Sequence, residues 1–135
     1  MKKYLTIGVF SILFLNLLSC DSEEIDGRWN DNIKLSEKNV SFTAELNSTV
    51  ITTEGAWWWI SGIRINDDWS YDLSDTDTSK ENFVIEETEF RIERKNATEI
   101  HISMQKNQSN SERVLTIGLQ AGNYFDGIKV TQSAN

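Results

Sequence analysis

This sequence predicts an all-β fold, an immunoglobulin-like β-sandwich of about seven antiparallel strands. Three observations lead there. Apolar residues recur at every second position in several stretches, and turn-forming residues separate those stretches. Beyond residue 20, no segment keeps the i, i+3, i+4 apolar spacing of a helix for long.

Taken in order, Ile33–Leu35 is a short first candidate. Val40, Phe42, Ala44 and Leu46 then alternate with Ser41, Thr43 and Glu45, which places one apolar row on a sheet face. Thr49–Thr53, Trp57–Ile65, Phe83–Glu86 and Glu89–Arg94 are shorter or less regular. Ile100, Ile102 and Met104 alternate with Glu99, His101 and Ser103. Leu115, Ile117, Leu119 and Ala121 alternate with Val114, Thr116, Gly118 and Gln120, and Ile128 and Val130 extend the pattern. Turn chemistry is expected at Glu54-Gly55, Asn66-Asp67-Asp68, Lys95-Asn96, Asn107–Asn110 and Asp126-Gly127. Ser61-Gly62 reads as a bulge. Asp67–Asn82 is the longest polar insertion and reads as a surface loop, where binding groups on a rigid scaffold usually sit. A closed barrel is the alternative architecture.

Composition narrows the function. The chain has 135 residues, enough for one domain. Its formal charge is −8, and no basic face is visible to track phosphates, so nucleic acid is excluded as a partner. One cysteine excludes both a disulfide framework and a Cys-rich zinc site. The core must therefore hold by packing, and at this size about two-thirds of the chain's surface can be buried. With no proline, edge protection falls to charge, for which Glu86, Glu87, Arg91, Glu93 and Arg94 are placed.

The N-terminus reads as an address. Lys2 and Lys3 precede the apolar stretch Leu5–Leu18, whose 14 residues fall short of the roughly 20 a membrane-spanning helix needs. The stretch ends in Leu17-Leu18-Ser19-Cys20, which resembles a bacterial lipobox. In such signals the cysteine becomes the first mature residue and carries the lipid. Cys20 is read accordingly as the lipidation site. The expected divisions are a signal peptide over 1–19, an acylated tether over 20–31 and the β-domain over 32–135. Without Lys2 and Lys3 the mature chain keeps 11 basic against 21 acidic side chains, a net charge of −10. Several acyl chains would hold it firmly, since each buried methylene adds about 0.8 kcal/mol. Its negative charge would keep the body off anionic headgroups. Asp21-Ser22-Glu23-Glu24 follows the cysteine. An Asp second in the mature chain resembles the inner-membrane retention signal of enterobacterial lipoproteins. An acidic cluster there resembles the surface-export signal of Bacteroidetes lipoproteins. A solvated tether is the plain alternative.

From Val40 to Ala134 the chain resembles the Bacteroidetes-associated carbohydrate-binding often N-terminal (BACON) module and its lipoprotein relatives. The resemblance is carried by Trp57-Trp58-Trp59-Ile60, by Arg113-Val-Leu-Thr-Ile-Gly-Leu119, and by the ending Ala121–Ala134 with Ile128-Lys-Val-Thr-Gln132. It implies an immunoglobulin-like sandwich on an exported protein of the outer membrane, facing the cell surface, with the periplasmic face as the other option. It also implies a glycan or mucin-type carbohydrate ligand.

The aromatic cluster is the leading candidate site. An indole lying against the apolar C–H face of a sugar supplies contact area at little entropic cost. In an extended strand Trp57 and Trp59 share one face and Trp58 takes the other. Trp57, Trp58, Trp69 and Tyr71 are the candidate carbohydrate contacts; the opposing expectation is that most of these rings fill the core, as a sandwich Trp commonly does. Asp75, Asp77, Ser79 and Glu86 match positions 1, 3, 5 and 12 of a calcium loop, but Lys80 stands where glycine is required. No metal or cofactor is expected. His101, the sole histidine, alternates with Ile100 and Ile102 and should face solvent with no neighbouring nucleophile, so no enzyme is expected. The competing function is a non-catalytic accessory lipoprotein that docks an outer-membrane protein through an uncharged sheet edge.

Overall fold

The computed structural model describes residues 29–68 and 71–135. The signal segment, Cys20 and Trp69 lie outside the described residues.

Among the described residues, eight strands form two four-stranded sheets. They are β1 (Asn39–Phe42), β2 (Asn47–Thr52), β3 (Trp59–Ile65), β4 (Phe83–Glu86), β5 (Phe90–Lys95), β6 (Glu99–Met104), β7 (Arg113–Ala121) and β8 (Tyr124–Gln132). Sheet 1 has the order β1-β8-β7-β3 and sheet 2 the order β2-β6-β5-β4. This is the expected immunoglobulin-like sandwich, with one departure in pairing: β1 runs parallel to β8, with Val40 opposite Val130.

The core is the set of inward positions that period two selects. Sheet 1 contributes Ile60, Ile63, Leu115, Ile117, Leu119, Ile128 and Val130, and sheet 2 contributes Ile51, Phe90, Ile92, Ile100, Ile102 and Met104. A core aliphatic or aromatic residue of this kind stabilises by about 1.5–3 kcal/mol.

Three expectations are corrected by the way the chain changes sheets. Val40–Leu46 is not one strand. β1 stops at Phe42, and the segment up to Asn47 crosses to sheet 2, so Leu46 ends exposed rather than inward. Buried Gln132 holds this crossover by donating from Nε2 to the carbonyls of Ala44, Glu45 and Gln105, while the Asn107 backbone N–H donates to Ala44 O at 2.7 Å. Ile33–Leu35 forms only an isolated bridge between Leu35 and Thr53, although Ile33 is fully buried. Asp126-Gly127 is not a turn. It lies inside β8, and the β7–β8 hairpin closes at Gly122-Asn123 with Gly122 at φ 60°, the position of a II′ turn where glycine is favoured.

Arg94 is the fourth correction. Its strand, β5, lies inside sheet 2, so neither Arg94 nor Arg91 nor Glu93 guards an edge, and Arg94 itself is buried, at 1% exposure. Its guanidinium lies 3.6 Å over the Trp58 ring. Nη1 donates to Trp58 O at 2.8 Å and to the carbonyls of Ser79 and Lys80. Nη2 donates to Ala56 O and Ala97 O, and Nε to Ala97 O at 3.0 Å. One side chain on β5 thereby ties together the entry to β3, the end of the polar insertion and the β5–β6 turn. That turn contains Asn96 and Ala97 at φ 51° and 66°, and Ala97 sits there against its steric preference. Burial pulls the Arg94 guanidinium down from the ordinary arginine range, and Glu81 opposes this through space.

Arg94→Lys keeps the charge and loses the planar fork. Several buried carbonyls then lack a donor, and the variant is expected to be less stable by about 2–4 kcal/mol. Denaturant unfolding of the two proteins, followed by tryptophan fluorescence, measures it. An unchanged midpoint would show that the staple is dispensable.

Candidate functional site

The two outer faces of the sandwich differ in chemistry. On sheet 2 the charged outward residues are paired among themselves, beside the exposed Val50 and Val84. Arg91 meets Glu93 at 2.7 Å and Glu86 at 3.6 Å, Lys95 meets Glu93 at 3.6 Å, and His101 Nε2 lies 2.8 Å from Glu99. The hydrogen bond from Arg91 holds the Glu93 carboxyl below the usual carboxylate range. His101 is outward, as its alternation predicts, with a carboxylate as its neighbour.

Sheet 1 presents four cross-strand rows on its outer face, Val114–Thr131–Ser41 being the fourth. The first is Trp59–Gln120–Phe125, the second Gly62–Gly118–Gly127, and the third Arg64–Thr116–Lys129–Asn39. The strands of this sheet contain a single carboxylate, Asp126, which lies opposite Leu119 and turns inward. Asp126 accepts from Tyr124 Oη at 3.0 Å and pairs with Lys38 Nζ at 2.7 Å. These inward anchors leave Phe125, between them in sequence, pointing out at 63% exposure.

The aromatic row is extended by Trp57, which is 71% exposed. Its ring stands edge-on to Trp59, with centroids 5.8 Å apart, and it covers the hairpin at Gly122, where a Cβ would lie 3.5 Å from the indole. Trp59 and Phe125 are two strand spacings apart, about 10 Å. Below them the glycine row leaves the sheet surface bare. The bulge expected at Ser61-Gly62 is present as a register shift between Ile60 and Gly62. It leans the Ser61 hydroxyl over Gly118, where a Cβ would approach Oγ to 2.9 Å. The result is a trough: aromatic rings on one wall, a glycine floor with one hydroxyl, and cations on the other wall.

The four aromatic candidates separate. Trp57 is on this surface. Trp58 is not a contact residue: at 1% exposure it fills the core beneath Arg94, and its Nε1 donates to Thr53 Oγ1 at 3.2 Å. Tyr71 does not join Trp57. It packs edge-on against Phe90 with centroids 5.0 Å apart, its Oη donates to Glu89, and it lines an open depression with Ile65, Asn66 and Asp68. That is the far end of β3 from Trp59, about 20 Å by strand rise. Trp69 and Cys20 lie outside the described residues. Trp59 and Phe125 are the residues that sequence reasoning passed over. Trp59 shares the outward phase of Trp57, and Phe125 was hidden by reading a turn inside β8.

In the calcium-like spacing, Asp77 turns its carboxylate to the backbone N–H and hydroxyl of Ser79, and Glu86 leaves with β4 to meet Arg91.

Fold and surface together define an immunoglobulin-like sandwich whose sheet 1 turns aromatic rings, and no strand carboxylate, outward. Comparison with one solved structure is consistent with that architecture. The chain is similar to a protein from Bacteroides thetaiotaomicron solved by NMR, with TM-score 0.63 and 22% identity over 86% of this chain and 98% of that one. Weaker likenesses are to the CsuC–CsuE chaperone–tip adhesion subunit complex of Acinetobacter baumannii, with TM-score 0.40 and 10% identity over 76% of this chain and 57% of that one. The twitchin kinase region of C. elegans gives TM-score 0.35 and 7% identity over 76% and 15%. No family model and no curated protein matches the chain.

The anchors of Phe125 carry a pH dependence. Burial, then the bond to Asp126, pushes the Tyr124 phenol above its ordinary value, and burial with Glu89 does the same at Tyr71. A raised folded value favours the protonated form, so this stability is complete below the unfolded tyrosine value of about 10 and is lost as pH rises beyond it. Denaturant midpoints measured across alkaline pH should fall, and Tyr124→Phe should flatten that fall. An identical slope in the variant would contradict the assignment.

Proposed function

We propose that this chain is a non-catalytic, lipid-anchored surface protein that binds carbohydrate on the outer face of sheet 1. The observation that carries this reading is the row of exposed Trp57, half-buried Trp59 and exposed Phe125 over a glycine floor on a sheet face without outward carboxylates. Flat apolar rings match the C–H faces of pyranoses, and Ser61, Gln120, Thr116 and Asn39 offer hydrogen-bonding groups to hydroxyls along the same trough. Cys20, following the apolar leader, is the proposed anchor to the outer membrane, and the acidic run behind it supports placement at the cell surface.

A protein partner at the free edge of β3 is the second reading, because Arg64 is the only charge on that strand. Against it, the insertion already occupies the edge, with Thr78 Oγ1 donating to Ile60 O at 3.1 Å.

The test is intrinsic fluorescence of the full chain in detergent, titrated with mucin glycans and plant polysaccharides. A saturable change is expected. Trp57→Ala, Trp59→Ala and Phe125→Ala should each weaken it about tenfold or more, the scale of losing a well-seated ring. Trp57→Ala removes a mostly exposed ring and should stay folded. Absence of any saturable change, with that variant folded, would leave the face to a protein partner.

A further inference from the structure

The trough has a charged wall that neutral sugar stacking does not require. Arg64, Thr116 and Lys129 are aligned across three strands, two residues beyond the glycine row. They lie about 13 Å along the strands from the Trp59–Phe125 row, and Arg64 and Lys129 are about 10 Å apart. Lys129 is exposed and forms no ion pair among the described residues. In a chain with 21 acidic side chains, the strands of this sheet turn two cations and no carboxylate outward. The carboxylates of sheet 2 sit on the opposite face, behind a core about 10 Å thick, and are held by their own cations. At physiological salt that distance exceeds the screening length of about 8 Å, so they do little to repel an anion on sheet 1.

We infer that the carbohydrate taken by this face is an anionic polysaccharide, bearing uronate carboxylates or sulfates, with sugar rings on Trp57, Trp59 and Phe125 and the anionic group on Lys129 and Arg64. This rests on the carbohydrate reading above. The glycine floor is what lets one chain touch both walls. A side chain at Gly118 would meet Ser61 Oγ at 2.9 Å, and any side chain there or at Gly127 would rise between the rings and the cations.

The experiment compares polygalacturonate with its carboxyl-reduced form, which keeps the sugar backbone and loses the charge, and chondroitin sulfate with its desulfated form. Binding to the full chain in detergent is followed by calorimetry at two salt concentrations. The charged form of at least one pair should bind about tenfold more tightly, the scale of a charge-assisted hydrogen bond, and salt should narrow the gap. Whichever pair shows the gap identifies carboxylate or sulfate as the anion. Lys129→Gln should abolish most of the preference while leaving the neutral form's affinity unchanged, with Arg64→Gln as the second variant. Equal affinity for charged and neutral forms, or a preference that survives Lys129→Gln, overturns the anionic assignment and leaves the carbohydrate reading standing. Binding of none of the four polysaccharides, by a chain whose fluorescence shows it folded, overturns both.

Discussion

The structure depends on a buried cation that bonds no carboxylate among the described residues. Arg94 is neutralised by backbone carbonyls and by the face of Trp58, and each of those carbonyls belongs to a segment that would otherwise be a free loop. A guanidinium suits this because its planar fork can satisfy several acceptors at once, and it is more weakly hydrated than an ammonium. The chain has no disulfide to fix the same segments, and one domain of this size has little stability to spare. Placing the staple at the entry to β3 also sets the phase of the aromatic cluster. Trp58 is drawn under Arg94, so its neighbours Trp57 and Trp59 are forced outward.

Much of this was legible in the sequence, and the failures have physical causes. Period two located β4 and β6 to their residue bounds, and placed β5 and β7 within one residue at either end, because each strand buries one face against a core. It erred where alternation continued through a change of partner. Val40 to Leu46 keeps its rhythm while the backbone leaves one sheet for the other, and only long-range bonds from Gln132 and Asn107 mark the break. Asp126-Gly127 has turn composition, yet it lies in β8, where glycine leaves a bare site on the outer face and the carboxylate finds Lys38 and Tyr124. Arg94 was assigned to an edge because charged residues are almost never buried unless paired; here the pairing is to carbonyls, which a sequence does not display.

The candidate site was half legible. The opposite phases of Trp57 and Trp58 follow from a strand's alternation, and the structure resolves which of them is core. The trough itself was not visible, because its rows join residues from strands far apart in the chain. Gly62, Gly118 and Gly127 have no common motif and become a floor only through the register of β3, β7 and β8. The separation of charge between the two sheets is hidden in the same way: sheet 2 carries ion pairs outward and sheet 1 carries rings and cations, while the composition reports only an acidic chain.

The central claim is that ligand meets the outer face of sheet 1 while the Trp58–Arg94 staple stays shut beneath it. The indole N–H resonances of the full chain report on both in one spectrum, recorded as polygalacturonate or chondroitin sulfate is added. Movement of the Trp57 and Trp59 signals, with the Trp58 signal fixed by its bond to Thr53, is the predicted result. A bound glycan that leaves Trp57 and Trp59 unmoved would place the site elsewhere and contradict the account.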